Sequence, residues 1–64
     1  MKWTDTGEIA IELAERHADV DPTTIGFVDL MRMVMALPNF SEDQSHCGER
    51  KLEAIQQAWI EEAS

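Results

Sequence analysis

The stretch Glu49–Ala63, ERKLEAIQQAWIEEA, decides the fold class of this 64-residue chain. A set of its apolar residues recurs at intervals that place them on one side of an α-helix, which turns by about 100° per residue. These residues are Leu52, Ile55, Trp59, Ile60 and Ala63. The spacing therefore predicts a helix over residues 49–63 whose apolar stripe faces a core.

A first helix is predicted near the other end of the chain, over residues 6–17. Asp5 and Glu8 have the spacing of a capping box, in which a short polar side chain and a glutamate satisfy free amides at a helix start. Pro22 ends the helical region because proline lacks a backbone donor. The predicted core side carries Ile9, Ala10, Leu13, Ala14 and His17, and we expect His17 to be partly buried.

A second helix is predicted over residues 30–36, where apolar positions again follow helical spacing. Asp29 is its predicted N-terminal cap, and Pro38 is its stop signal. The polar segment that follows, residues 39–48, is predicted to be a loop anchored by Phe40.

A short extended element is the only strand-like structure that the sequence suggests. Ile25 and Phe27 alternate around Gly26, which is compatible with a brief pairing with the residues around Trp3. The chain is thus predicted to be mainly α, a small three-helix domain that spans residues 1–64 as one unit.

The composition narrows the classes of function. Thirteen Asp and Glu residues against five Lys and Arg give a formal net charge of -8 and a pI near 4.4. This charge argues against a nucleic-acid partner and favours a basic protein surface or a hard cation. The single cysteine permits no intrachain disulfide, and the longest apolar run, residues 33–37, is too short to span a membrane. We expect a cytoplasmic monomer without a secretory signal or membrane contact.

A row of carboxylates is predicted on the outer side of the first helix. Glu8, Glu12 and Glu15 lie within about one sixth of the helical circumference, and Asp19 continues this acidic row if the helix persists that far. Stacked like charges slightly destabilise an isolated helix, so their accumulation favours a partner with positive charge. The alternative interpretation is a solvated surface that keeps a small protein soluble, because charge runs on exposed helices are common.

The same carboxylates are candidates for weak metal binding. Carboxylate oxygens bind hard cations such as Fe2+, Mg2+ and Ca2+. The sequence has no EF-hand spacing, and His17 and His46 do not form a zinc pattern with Cys47. A tight, dedicated metal site is therefore not predicted.

Cys47 lies just before the third helix, where a helix N-terminus could lower its pKa and make it a nucleophile or a redox thiol. No acid or base accompanies it at a recognisable spacing. We therefore favour a packing or capping role, and we predict no catalytic residue.

The aromatic and methionine side chains are expected mainly in the core. The aromatic residues are Trp3, Phe27, Phe40 and Trp59, and so small a protein needs them to build its interior. Met31, Met33 and Met35 cluster on the second helix. They either fill gaps in the core, which is the more frequent role of methionine, or form an adaptable contact surface.

Several blocks follow one another along the chain in a recognisable order. They are Lys2-Trp3-Thr4-Asp5, Val20-Asp21-Pro22, Phe27-Val28-Asp29-Leu30, Ala36-Leu37-Pro38-Asn39-Phe40, and Cys47-Gly48-Glu49 with Leu52-Glu53-Ala54-Ile55 and Trp59-Ile60-Glu61-Glu62-Ala63. This order resembles the IscX family, the small acidic proteins of bacterial iron-sulfur cluster assembly, over essentially the whole chain. The chain departs from the family pattern at Val28, Met33 and Gln44, and none of these departures removes the acidic row.

The resemblance implies a modified winged-helix fold with a small extended element. It also implies binding to the cysteine desulfurase IscS through an acidic surface, competition with frataxin for IscS, weak binding of ferrous iron and no tightly bound cofactor. The matching acidic positions include Asp5, Glu8, Asp19, Asp21, Asp29, Glu42, Asp43 and Glu49. We place partner binding at Glu8, Glu12, Glu15, Asp19 and Asp21, and weak iron binding at Glu8, Glu12, Glu15 and Asp19.

Three alternatives stay open at this point. The first is an acidic winged-helix module that serves protein interactions outside iron-sulfur assembly. The second, a nucleic-acid-binding winged helix, is opposed by the scarcity of basic residues on the second and third helices, namely Arg32, Arg50 and Lys51. The third, a thiol enzyme or redox switch built on Cys47, requires that thiol, whereas we expect serine to be tolerated in its place.

Overall fold

The chain, seen in a computed structural model, folds into three α-helices. The structure describes residues 1–64, except the side chain of Gln44. The helices are α1 (Thr6–Arg16), α2 (Phe27–Met35) and α3 (Glu49–Ala63). The described residues contain no strand, so the predicted mainly α fold is confirmed, while the resemblance to a winged helix remains a prediction.

The core is built where α3 packs extensively against α1 and less extensively against α2. Its buried side chains are Trp3, Ile9, Ala10, Leu13, Leu30, Val34, Leu37, Leu52, Ile55 and Trp59. No polar or charged residue among those described is buried, so the interior is held together by apolar packing. Of the stripe predicted on α3, Ile60 is only half-buried and Ala63 is exposed, so the stripe leaves the core in the last turn.

The bounds predicted for α3 are those observed, and α1 ends one residue before its predicted end. The predicted capping box at the start of α1 is wrong. Asp5 occupies the N-cap position, but its carboxylate accepts a hydrogen bond from the backbone N–H of Lys2, 2.9 Å away, and caps no amide of α1. The side chain therefore fastens the segment before the helix instead of the helix itself.

The start predicted for α2 is also wrong. Gly26 is the N-cap, so the helix begins at Phe27 and Asp29 lies within its first turn. A carboxylate at that position interacts favourably with the positive end of the helix dipole without capping an amide. Phe27 is half-buried against the core as the first residue of α2, so the predicted extended pairing at Ile25 and Phe27 does not form. The helix ends at Met35, ahead of the predicted stop signal.

Trp3 contacts the segment that follows α2. Its indole Nε1 donates to the carbonyl of Asp43 at 2.9 Å, and its backbone N–H donates to Oε1 of Glu42 at 3.3 Å. The rings of Trp3 and Phe40 meet edge to face, with centroids 4.7 Å apart. The loop predicted over residues 39–48 is therefore anchored by Phe40, as expected, and also by Trp3; a short 3₁₀ helix at Gln44–His46 lies within it.

The assignment of the core can be tested by making the same substitution, isoleucine to valine, at a buried and at an exposed position. Ile55→Val should lower the free energy of unfolding by about 0.5–1.5 kcal/mol, because Ile55 is fully buried and the lost methyl leaves a small cavity. Ile11→Val removes the same methyl from a side chain that is 45% exposed and should cost less than about 0.5 kcal/mol. Urea denaturation monitored by circular dichroism measures both values, and equal losses would contradict the core assignment.

Candidate functional site

The acidic row of α1 lies on the side of the helix turned away from the core. Ile9 and Leu13 are fully buried, whereas Glu8 and Glu15 are exposed and Glu12 is half-buried. The helix fixes the backbone positions of these three glutamates, because the opposite side is held by packing against α3. The row is therefore presented from a rigid element.

One glutamate of the row is paired within the chain. Oε1 of Glu12 lies 3.5 Å from Nε of Arg16, an ion pair at i, i+4 spacing whose side chains are 26% and 49% exposed. Such exposed pairs contribute little stability, but they reduce the charge available to a partner. The ion pairs among the described residues include neither Glu8 nor Glu15. These two residues therefore carry the uncompensated charge of the row.

Asp19 does not continue the row by helical register. The last residue of α1 is Arg16, and the backbone N–H of Val20 donates to the carbonyl of His17 at 3.0 Å, which marks a turn. Asp19 is exposed in this turn. Asp19 would align with the glutamates only if α1 continued to that residue, and it does not. The part of Asp19 in binding remains a prediction. His17 is half-buried, as expected.

Asp21 takes part in the turn before Pro22. Its Oδ1 accepts hydrogen bonds from the hydroxyl of Thr23 at 2.6 Å and from the backbone N–H of the same residue at 2.9 Å. These bonds hold the pKa of Asp21 below its ordinary value, and the bond from the hydroxyl has the larger effect. The carboxylate stays ionised, and part of its capacity to accept hydrogen bonds is used by the turn.

A surface depression of about 380 Å³ adjoins the acidic row. Glu8 and Glu12 line it together with Met1, Ile11 and Asn39. The combination of carboxylates and apolar surface suits a lysine or arginine side chain, whose aliphatic stem packs while its charged end pairs. Sequence reasoning missed Ile11 here, although its helical position beside the row was the available signal.

The acidic loop between α2 and α3 has a structural use that the sequence did not reveal. Oε2 of Glu42 lies 3.1 Å from Nδ1 of His46, and the same carboxylate accepts the N–H of Trp3. The hydrogen bond to His46 is the largest cause that lowers the pKa of Glu42, against a smaller opposing effect of desolvation. Asp43 accepts a hydrogen bond from the N–H of Ser45 at 3.2 Å. These carboxylates are therefore engaged in holding the loop.

The environment of Cys47 favours a thiol over a thiolate. Partial burial raises the pKa of Cys47 more than the nearby charge of Lys51 lowers it. A nucleophilic or redox-active cysteine requires the opposite shift. The half-buried side chain packs against the core, which fits the packing role favoured from the sequence.

Two further properties of the described residues concern metal ions and membranes. No three His, Cys, Asp or Glu side chains in that part of the chain come together in a way that could hold a metal ion. The acidic row extends along α1 and does not converge on one point, as a chelating site must. Nor do the described residues include a helix with the length and apolar character needed to cross a bilayer.

Comparison with known proteins gives matches along the full chain. The family model described as iron-sulphur cluster assembly matches residues 1–64. The uncharacterized protein PA3808 of Pseudomonas aeruginosa is 58% identical over 62 residues, which cover 97% of this chain and 94% of that protein. Both matches therefore concern the whole three-helix domain.

The role of Glu42 predicts a specific pH dependence. The pKa of Glu42 is lowered from 4.5 in the folded protein. As the pH falls below about 4.5, the unfolded chain therefore takes up more protons than the folded chain, and the free energy of unfolding decreases. Glu42→Gln should therefore be less stable than the parent protein at about pH 7, and the difference should narrow as the pH falls below about 4.5. Urea denaturation at a series of pH values measures this difference.

The matched control is Glu53→Gln, which removes an exposed carboxylate from α3. The stability of this variant relative to the parent should not show the narrowing seen for Glu42→Gln. A difference for Glu42→Gln that stays constant over the pH series would contradict the structural role of the carboxylate.

Proposed function

Since the chain belongs to the iron-sulphur cluster assembly family, we propose that it is a noncatalytic regulator of the IscX type that docks on the cysteine desulfurase IscS. The family places the chain in iron-sulfur cluster assembly; the partner and the docking surface are our inference. The observation that carries this inference is the exposure of Glu8 and Glu15 on one side of α1, with no ion pair to either among the described residues. Their charge is available to a basic surface.

Electrostatic attraction gives this docking its physical basis. A chain with a net charge of -8 is attracted to a basic patch before contact, which raises the association rate and orients the encounter. Once the surfaces meet, Glu8 and Glu15 can pair with lysine or arginine side chains. Ile11, exposed beside the row, offers apolar area to the stems of those side chains. The interface we propose is therefore acidic with an apolar component.

The regulator acts, in this proposal, by occupying a surface. The raised pKa of Cys47 and the absence of a neighbouring acid-base pair in the sequence favour a role without covalent chemistry. An acidic ligand on a basic patch excludes any other acidic ligand from that patch. This exclusion is the physical basis of the proposed competition with frataxin.

Ferrous iron enters the proposal only as a weak ligand. Carboxylate oxygens attract hard cations, and the row concentrates negative charge on one side of α1. The residues do not converge, however, so we propose a loose association at Glu8, Glu12, Glu15 and Asp19 instead of a coordination site. No part of the docking proposal depends on iron.

Charge reversal on α1 tests the docking surface. The double variant Glu8→Lys with Glu15→Lys should bind the desulfurase at least about tenfold more weakly, because two attractive charges become repulsive. Both side chains are exposed, so the helix should remain folded, as circular dichroism can verify. Isothermal titration calorimetry at low and high ionic strength measures the affinity, which for the parent protein should fall as salt screens the charges.

The control is a double variant that makes the same change in net charge on α3 instead of α1. Glu53→Lys with Glu61→Lys places two lysines at exposed positions of α3 and should weaken binding much less. Equal losses for the two double variants would show that only total charge matters and would refute the α1 surface. No binding of the parent protein at low salt would refute the desulfurase as the partner.

Iron association can be examined separately. Anaerobic titration of the labelled protein with Fe2+ should broaden amide signals along α1 and the following turn at millimolar metal, because paramagnetic broadening reports even weak contact. The broadening should diminish in the Glu8→Lys, Glu15→Lys variant and persist in the Glu53→Lys, Glu61→Lys control. Broadening that is uniform over the chain, or absent, would remove iron from the proposal and leave the docking proposal intact.

A further inference from the structure

The depression beside the acidic row has two walls that are held in different ways. Glu8, Ile11 and Glu12 belong to α1, whose backbone is fixed by packing against α3. Met1 and Asn39 form the other wall, and neither residue belongs to a helix. The shape of the depression therefore depends on the contacts that hold these two residues in place.

Two segments outside the helices form the second wall. The amino group of Met1 donates to the carbonyl of Asn39 at 2.6 Å, and the backbone N–H of Ser41 donates to the carbonyl of Met1 at 3.3 Å. Residues 1–3 thus lie alongside residues 39–43, and we call these two segments together the clasp. Hydrogen bonds at the protein surface open more readily than those of a buried helix. The two bonds of Met1 are therefore not sufficient to fix the wall.

The carboxylate of Glu42 strengthens the clasp. Its Oε1 accepts the backbone N–H of Trp3 at 3.3 Å, and its Oε2 lies 3.1 Å from Nδ1 of His46. Glu42 thereby joins the first segment of the clasp to the short 3₁₀ helix that follows the second. The fully buried side chain of Trp3 anchors this end of the clasp in the core. Neither Trp3 nor Glu42 is among the described residues that line the depression.

A ligand that contacts both walls must respond to the state of the clasp. Such a ligand binds best when the clasp holds Met1 and Asn39 in place, and binding then favours that arrangement. The relation is reciprocal, because a change that loosens the clasp lowers the affinity for the ligand by the same factor. Glu42 can thus influence binding at a surface that it does not touch.

We propose that the clasp couples the position of the loop between α2 and α3 to docking at the acidic row, and that Glu42 is the positioning residue of this coupling. Its carboxylate acts by holding Trp3 and His46, whereas Glu8 and Glu15 act by meeting the partner's charge. The inference rests on the proposed docking of α1 to a desulfurase and adds to it a residue outside the contact surface.

Hydrogen exchange of the 15N-labelled full chain measures the coupling. Exchange proceeds in the complex with the desulfurase, and the spectrum is recorded after the chain has been released at high salt. Docking should slow exchange of the Trp3 backbone amide by about fivefold or more. The control is the amide of Ala36, which donates to the carbonyl of Arg32 at 3.1 Å and should exchange at its free rate.

Substitutions of Glu42 separate positioning from charge. Glu42→Ala removes both contacts of the carboxylate and should weaken docking by about threefold or more. Glu42→Gln loses the charge but keeps an acceptor for the N–H of Trp3, so it should bind more tightly than Glu42→Ala. Glu53→Ala makes the same change in net charge at an exposed position of α3 and should bind nearly as tightly as the parent. Calorimetry gives the affinities, and circular dichroism verifies that each variant is folded.

Several results would overturn the proposal. Equal losses of affinity in Glu42→Ala and Glu42→Gln would show that Glu42 acts only as a charge. Equal affinities of Glu42→Ala and Glu53→Ala would show that its contacts do not bear on docking. If the parent chain does not bind the desulfurase, the proposed function fails and this inference fails with it. If the parent binds and the Trp3 amide exchanges at its free rate, the coupling alone fails.

Discussion

The arrangement of the chain outside the helices depends on the buried side chain of Trp3. Trp3 belongs to no helix, yet its side chain is only 1% exposed, and its two N–H groups donate to Glu42 and to the carbonyl of Asp43. A 64-residue chain with one cysteine must close its core with large side chains instead of disulfides. Since Trp3 fills this role from outside the helices, the same contact orders the loop between α2 and α3.

The sequence predicted the bounds of α1 and α3 more closely than those of α2. Alternation of apolar and polar residues gave α3 its full bounds and placed α1 to within one residue. It failed for the start of α2, because Asp29 is a residue type that favours the N-cap position, while the true N-cap, Gly26, has no side chain to mark it. The helix begins at Phe27, two residues before Asp29. The prediction for Asp5 failed for another reason. Its carboxylate accepts a hydrogen bond from the backbone N–H of Lys2, which precedes it, and residue spacing cannot distinguish this arrangement from a true cap.

The acidic row was predictable as a helical face, but which carboxylates remain available for binding was predictable only in part. The i, i+4 spacing of Glu12 and Arg16 is visible in the sequence and foretells their ion pair. The position of Asp19 depends on where α1 ends, which is a property of the turn that follows. The hydrogen bond from Trp3 to Glu42 joins residues 39 apart, a distance that no local pattern spans. Long-range contacts of this kind decide which carboxylates serve the fold and which remain available for binding.

The three helices share one apolar core on their inner sides, but their outer sides differ in chemistry. That of α1 carries the acidic row, and that of α2 exposes Val28 and Met35 beside Asp29 and Arg32. Exposed residues of α3 such as Arg50, Glu53 and Gln57 are charged or polar. An exposed apolar side promotes self-association, and a net charge of -8 opposes it by repulsion between copies. Negative charge thus has two physical consequences here. It attracts a basic partner, and it opposes association of two copies of the chain through α2. Because both weaken together when charge is lost, the acidity of the chain cannot be ascribed to partner recognition alone.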